Sequence, residues 1–315
     1  MLTLLQKRKP HRSIAVRKEK YYYAMLALPL LWYLLFAYIP ITGNVIAFRR
    51  FNIGSAYWGT GWVGLKYFKM FFHSPDFLRA LRNTFTLSLK YLVVSFPMPI
   101  IFAIMVSEVK RDQPKRIIQS IAYLPRFLSV MVAVGLIKLM LSPTSGLVNA
   151  IIQKLGFPPI TFLNEPGYFH AIYIVSGIWQ WMGWNAIIYF AAISRIDPQL
   201  YECAELEGAG RFAKMLHITI PSIRYAIAIL LILAVGRILT VNFEKIILLY
   251  NQLTYETADV IQTYVFRMGI GVTSGGRQYS LATAVGLFNG LLSAFLIVAA
   301  NMLVKRLTHN ETSLF

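Results

Sequence analysis

The chain has very little of the chemistry that enzymes use, beginning with cysteine. Cys203 is the only cysteine among 315 residues, which excludes an internal disulfide framework and a metal site built from several thiolates. The five histidines show no ligand spacing, so the sequence predicts no metal site. The Gly-x-x-x-x-Gly-Lys phosphate loop, the His-Glu-x-x-His motif and the Gly-x-Ser-x-Gly turn are all missing. We therefore expect a protein that is not an enzyme, and any ATP-driven activity would need an ATPase on a separate chain.

Charge is scarce as well, since charged residues make up 14% of the chain and hydrophobic residues 57%. Six apolar runs are long enough to cross a bilayer, for which about 20 helical residues suffice. They cover residues 22–48, 83–107, 117–141, 169–193, 225–250 and 279–304. Backbone groups inside hydrocarbon must find partners within their own segment, so these runs predict helices. The sequence therefore predicts an all-α membrane protein with six transmembrane helices in one domain, residues 21–308, between a basic arm (1–20) and a short tail (309–315).

Acidic residues are outnumbered, with 13 Asp and Glu against 31 Lys and Arg and a net charge of +18. Seventeen basic residues fall in the two termini and the loops at 108–116 and 194–224, and nine fall in the intervening loops. By the positive-inside rule, this asymmetry predicts a multi-pass protein of a cytoplasmic membrane with both termini in the cytoplasm. The basic arm is then expected to contact anionic membrane lipid rather than nucleic acid.

One polar insert, residues 195–224, interrupts the apolar runs and carries clear helix signals. Asp197 can accept hydrogen bonds from free N–H groups, and Pro198 fits the first helical position. A first short helix is predicted over 199–207, and Gly208 can supply the left-handed residue that ends it. A second helical stretch is predicted from Arg211 toward Pro221. A helix-turn-helix of this size at a membrane face suits docking into another protein.

This insert resembles the cytoplasmic EAA loop of bacterial ABC-importer permeases. The matching residues are Glu202, Ala204, Gly208, Ala209 and Pro221. Cys203 stands in place of an Ala and Glu207 in place of an Asp, so the match departs mildly from the family pattern at two positions. The resemblance implies the type I ABC-importer permease fold, with this loop as a coupling helix in a groove of a separate ATPase subunit. It implies that these seven residues make or shape that contact.

Two further regions extend the resemblance over most of the chain. Residues 64–84 resemble the sugar-importer branch of these permeases, and residues 243–306 resemble the group that imports oligosaccharides and polysaccharides. That group implies a second homologous permease, two ATPase subunits that bind ATP and Mg²⁺, and an extracytoplasmic solute-binding protein. It also implies alternating access to an oligosaccharide path in the bacterial cytoplasmic (inner) membrane.

Charged residues inside predicted spans are costly and indicate functional positions. The fifth run carries three of the six, and the candidate substrate path is Arg237, Thr240, Asn242, Glu244 and Lys245. In a continuous helix Arg237 and Glu244 would project from nearly one face, about 10 Å apart along the axis. That face either binds sugar hydroxyls and carboxylates or forms a salt bridge between two permeases, and the residues alone leave both open.

The remaining intramembrane charges are basic. Lys90, Arg126 and Lys138 lie near the predicted span ends, where we expect them to extend toward the headgroups. The excess of basic groups hints at an anionic substrate such as a uronate oligosaccharide. The alternative function is an ATP-independent secondary sugar transporter, which usually needs intramembrane acids or paired broken repeats, and only Glu244 is available.

Overall fold

A computed structural model describes residues 20–54, 56–239, 241–271 and 277–307, with backbone only at residues 300 and 303–307. Residues 1–19 of the predicted basic arm and the predicted tail 309–315 lie outside the described residues. So does Thr240 of the candidate substrate path.

Helices make up most of the described chain. In order they are α1 (Lys20–Phe48), α2 (Lys66–Phe72), α3 (Pro75–Ser107), α4 (Asp112–Phe127), α5 (Val130–Met140), α6 (Leu147–Lys154), α7 (Pro166–Ile193), α8 (Pro198–Leu206), α9 (Arg211–Ser222), α10 (Arg224–Gly236), α11 (Phe243–Leu249), α12 (Tyr255–Ala258), α13 (Ile261–Gly269) and α14 (Tyr279–Leu307). Two short antiparallel strands, β1 (Arg49–Arg50) and β2 (Thr60–Trp62), form a hairpin after α1.

The long helices follow the predicted apolar runs. Among the described residues, α1, α3 and the Tyr279–Ala299 part of α14 are long and apolar enough to cross a membrane. The number rises to five if two bent pairs each count as one span: α4 with α5, bent by 102°, and α9 with α10, bent by 64°. Helix α7 has 28 residues, about 42 Å, and no Asp, Glu, Lys or Arg. Its length matches the fourth predicted span, although its composition is more aromatic and polar than that of α1, α3 and α14.

The prediction of a continuous fifth span over 225–250 was wrong. Helix α10 ends at Gly236, and α11 begins only at Phe243. Asn242 starts the new helix: its side chain accepts the Lys245 N–H at 3.0 Å, and its own N–H donates to the Tyr173 hydroxyl at 2.9 Å. These bonds satisfy backbone groups that a broken helix would otherwise leave unpaired in an apolar interior.

Three apolar clusters hold the helices together. One joins α3, α7 and residues 241–260 around Tyr173 and Ile246. A second is strongly aromatic and packs α2, α3, α13 and α14 around Phe71 and Phe77. The third packs α3 and α7 against Ile223 at the start of α10. By contrast, the first 14 residues of α1, Lys20–Tyr33, bury no side chain within the described chain.

A buried carboxylate orders the segment before α13. The Asp259 side chain is fully buried and binds the Arg267 guanidinium through two bonds of 3.0 and 2.8 Å. The Thr263 hydroxyl donates to the same carboxylate at 2.8 Å. Arg79 of α3 adds a longer contact of 3.5 Å, which links the segment to the opposite helix.

Backbone contacts complete this link between α3 and the segment 256–261. The Asn83 side-chain amide donates to the carbonyl oxygens of Glu256 and Asp259 at 2.8 and 3.0 Å. The Ile261 N–H donates to the Thr84 hydroxyl at 2.9 Å. The turn into α13 is therefore fixed to α3 by polar groups that are all buried or partly buried.

We predict that Asp259→Asn destabilises the folded chain by about 3 kcal/mol, because it leaves the partly buried Arg267 guanidinium without its counter-charge. The control is Asp76→Asn, which breaks the exposed pair between Asp76 and Arg79 and should cost less than about 1 kcal/mol. Thermal unfolding midpoints in detergent measure both variants. Equal midpoints for the two variants would contradict a structural role for the buried pair.

Candidate functional site

The predicted coupling loop, residues 195–224, forms the two helical stretches that its sequence indicates. Helix α8 covers Pro198–Leu206, with Pro198 at its first position. The Asp197 carboxylate accepts the Gln199 N–H at 3.0 Å, which satisfies one of the free donors at the helix start. Helix α9 follows from Arg211, so the loop is a helix-turn-helix between α7 and α10.

Gly208 ends α8 in the left-handed conformation, with φ +77°. The Ala209 N–H donates to the Ala204 carbonyl at 2.8 Å, and the Gly208 N–H donates to the Glu205 carbonyl at 3.0 Å. This pair of bonds is a Schellman motif, which satisfies the last carbonyls of the helix. A side chain at position 208 would have open space around it, so glycine is required by backbone conformation rather than by packing.

Two side-chain contacts join α8 to α9. Lys214 forms an ion pair with Glu205, and the Tyr201 and Thr219 hydroxyls share a hydrogen bond of 2.9 Å. The hydrogen bond and charge of Lys214 lower the pKa of the Glu205 carboxyl below its ordinary value, and Lys110 adds a smaller effect in the same direction. These two contacts therefore hold α8 and α9 together within the loop.

The structure gathers most of the predicted coupling residues on one short stretch. Glu202, Cys203, Glu207 and Gly208 are exposed, and Ala204 and Ala209 are partly buried at the turn. Pro221 is exposed but lies apart from them, in the last turn of α9.

Sequence reasoning missed two residues of this loop. Leu206 is 89% exposed and Phe212 is 83% exposed, the highest values for large apolar side chains among the described residues. They flank the turn at Gly208 and extend from a polar surface. The signal was available in the sequence, since each is an isolated large apolar residue within a polar insert.

The candidate path residues do not form one face. Arg237 is exposed in the break after α10, and Glu244 is exposed in the first turn of α11. Lys245 instead points inward: it is 3% exposed, and its Nζ donates to the Tyr173 carbonyl at 3.3 Å. The expected shared face of Arg237 and Glu244 was wrong because the helix that would have aligned them is interrupted.

Arg126 was expected to extend toward the headgroups, and the structure shows it packed against α7. It lies in the last turn of α4, just before the break to α5. Its guanidinium stacks on Trp181 of α7, with Cζ 4.1 Å from the ring centroid, and lies 5.7 Å from the ring of Trp184. Its Nε is buried and has no hydrogen-bond partner. Two tryptophans three residues apart on one helix were the available signal.

Lys90 also differs from the expected position near a span end. It is exposed near the middle of α3, and its Nζ lies 3.2 Å from His170 Nδ1. The other nitrogen of His170 lies 3.2 Å from the Thr257 carbonyl oxygen. Lys138 does lie close to a helix end, two residues before the end of α5.

Near the break between α4 and α5, the Arg126 guanidinium therefore lies beside two tryptophans of α7. Such an arrangement can contact sugar rings and carboxylates.

Comparison with known proteins gives the family. A family model described as "Binding-protein-dependent transport system inner membrane component" matches residues 91–309, well over half of the chain. The chain belongs to this family. The predicted identity as an ABC-importer permease subunit, and not an enzyme, is thereby confirmed.

Curated relatives cover nearly the whole chain. Protein LplB of Bacillus subtilis is 39% identical over 292 residues, which is 93% of this chain and 91% of the relative. The polygalacturonan/rhamnogalacturonan transport system permease protein YteP of the same organism is 39% identical over 293 residues, 93% of this chain and 90% of the relative. These relatives support a permease for oligosaccharide import.

Solved structures agree with the predicted fold. One chain of the crystal structure of a bacterial ABC transporter involved in the import of the acidic polysaccharide alginate is 40% identical, with a TM-score of 0.86. The match covers 93% of this chain and 98% of that chain. A second structure, the alginate transporter in complex with alginate pentasaccharide-bound periplasmic protein, matches with the same TM-score and covers 95% of this chain. The predicted type I ABC-importer permease fold is therefore confirmed.

Proposed function

We propose that this chain is one of two homologous permeases in an ATP-driven importer of acidic, uronate-containing oligosaccharides. The importer would lie in the bacterial inner membrane, with both termini of this chain in the cytoplasm. Two ATPase subunits and an extracytoplasmic binding protein would complete it. The solved relative that imports an acidic polysaccharide supports this assignment, as does its complex with a periplasmic protein.

The coupling loop is the observation that carries the ATP-driven part of the proposal. Leu206 and Phe212 stand almost fully exposed beside the ordered turn at Gly208. Burying one such side chain in a partner contributes about 2 kcal/mol, so two of them form the centre of a small interface. The exposed carboxylates of Glu202 and Glu207 lie on the same stretch and suit basic or polar groups at its rim.

The internal bonds of the loop provide the mechanical link. The loop joins α7 to α10, and the contacts between its two helices would let it move as a unit. Closure of docked ATPase subunits would therefore shift the ends of both helices together. Rocking of packed helices around a fixed path is one of the established forms of such transitions.

Arg126 and the two tryptophans beside it, Trp181 and Trp184, support an acidic substrate. A guanidinium can bind a carboxylate through two parallel hydrogen bonds, and the aromatic rings beside it offer an apolar surface for a sugar ring. Arg126 is held on Trp181, has no carboxylate partner among the described residues, and lies in the last turn of α4, just before the break to α5. A uronate residue would supply the missing counter-charge as it passes.

We predict that Leu206→Ser reduces the ATPase recovered with this chain in a mild-detergent pull-down by more than about tenfold, since it removes about 2 kcal/mol of apolar burial. Leu253→Ser is the matched control, because Leu253 is 64% exposed in a different loop. Glu207→Lys should reverse a charge at the rim and weaken recovery further. Recovery of the ATPase at wild-type levels with Leu206→Ser, or recovery of no ATPase with the natural sequence, would contradict the docking role.

For the substrate, Arg126→Gln should lower uptake of a uronate oligosaccharide about tenfold, because a charge-assisted hydrogen bond contributes about 1.5 kcal/mol or more. Uptake of a neutral oligosaccharide by the same variant, where any occurs, should change much less. Arg126→Lys keeps the charge but loses the paired N–H donors of the guanidinium, so it should give an intermediate rate of uptake. Lys138→Gln controls for loss of a positive charge. An equal loss for both substrates would indicate that Arg126 only supports the fold.

A further inference from the structure

Lys90 carries an ammonium group on the surface of an apolar helix. It lies on α3, one of the helices that are long and apolar enough to cross a membrane, and it is exposed. No carboxylate lies within ion-pair distance of it among the described residues. A charge that faces hydrocarbon is costly, so such side chains face a partner protein or a water-filled path. Lys90 therefore marks a part of the surface that lipid does not cover.

A histidine fixes the direction of this ammonium group. The Thr257 carbonyl oxygen, 3.2 Å from His170 Nε2, can only accept a hydrogen bond, so Nε2 carries the hydrogen. Nδ1 of the neutral ring then accepts from Lys90 Nζ at 3.2 Å. The Thr257 hydroxyl donates to the Pro166 carbonyl at 2.8 Å, which holds residue 257 at the start of α7. One N–H of the ammonium is thus used, and two remain for a ligand.

Lys90 and Arg126 lie against the same face of α7. Lys90 contacts this helix at His170, and Arg126 contacts it at Trp181, eleven residues later. Eleven helical residues make three turns and about 20°, with a rise of about 16 Å along the axis. Because α7 is one continuous helix over Pro166–Ile193, the two cations follow a single face at this separation.

The predicted topology gives the two cations an order. By the positive-inside rule, the start of α7 lies on the extracytoplasmic side of the membrane. His170 is in the first turns of α7, whereas Trp181 is near its middle. A substrate that enters from outside would therefore meet Lys90 before Arg126.

We propose that Lys90 binds a carboxylate of the acidic oligosaccharide in the outer part of the path, ahead of Arg126. This inference rests on the proposed import of uronate-containing oligosaccharides. The two basic side chains would bind two carboxylates of one substrate molecule, about 16 Å apart. A disaccharide is too short to reach both, and a pentasaccharide is long enough. The pair therefore favours longer acidic oligosaccharides.

The first test is uptake by vesicles that contain the whole importer, given a uronate pentasaccharide, a uronate disaccharide or a neutral oligosaccharide. Lys90→Gln should lower uptake of the pentasaccharide about tenfold, the effect of one hydrogen bond between charged groups. Uptake of the disaccharide, which Arg126 can bind alone, should fall much less, and uptake of the neutral sugar should not change. Lys90→Arg keeps the charge and should retain most of the uptake. Lys69→Gln, at an exposed lysine of α2, is the matched control and should change nothing.

The second test uses the natural sequence and so does not depend on the folding of a variant. A water-soluble carbodiimide joins a carboxylate to an amine that is in contact with it, and the carbodiimide takes up the water that the new amide bond releases. We expect the uronate pentasaccharide to form this amide with Lys90 and not with Lys69. Mass spectrometry of the peptides locates the added sugar.

Four results would overturn the inference. Pentasaccharide uptake that Lys90→Gln leaves unchanged would do so while the proposed function stands. The absence of uronate uptake with the natural sequence would overturn the proposed function as well. An equal loss for acidic and neutral substrates, with the second permease missing from the purified importer, would show that Lys90 pairs with that subunit instead. Sugar attached to Lys69 as often as to Lys90 would show coupling without a binding site.

Discussion

The constraint that shapes this molecule is the need of every backbone polar group for a partner inside an apolar environment. It explains how the spans can be broken at all. Where α11 begins, Asn242 accepts a free N–H and Tyr173 accepts another. Where α5 begins, the Ser129 hydroxyl accepts the Val132 N–H at 3.3 Å, and Gln180 of α7 donates to the Leu128 carbonyl at 3.2 Å. Helix α7 thus supplies partners to both breaks.

The same breaks decide where charge can be placed within the bundle. Arg126 lies just before one break and Lys245 follows the other, and both are held against aromatic residues of α7. The two cations differ in what they offer. Lys245 is buried and donates to a backbone carbonyl, whereas Arg126 rests on tryptophan without a carboxylate partner among the described residues. This difference is why Arg126 carries the proposal of an acidic substrate and Lys245 does not.

The helix-turn-helix of the predicted coupling loop could be predicted because its signals are local. A cap, a proline and a left-handed glycine act within a few positions, and the motif that they define is long. The break in the fifth span could not be predicted in the same way, because its main partner, Tyr173, lies 69 residues earlier in the chain. The position of Arg126 depends likewise on tryptophans of another helix. Local pattern therefore located the helices, and contacts between helices decided where two of them stop.

The most direct test uses the single cysteine of the chain. Cys203 is exposed on α8. Labelling by a membrane-impermeant maleimide therefore reports on which side of the membrane the coupling loop lies and whether a partner subunit covers it. In vesicles that contain the whole importer, we predict no labelling from the extracytoplasmic side. From the cytoplasmic side we predict slow labelling that becomes fast once the ATPase subunits are stripped away. Labelling from outside, or a cytoplasmic rate unaffected by removal of the ATPase, would contradict the claim that this loop is where the importer couples to ATP.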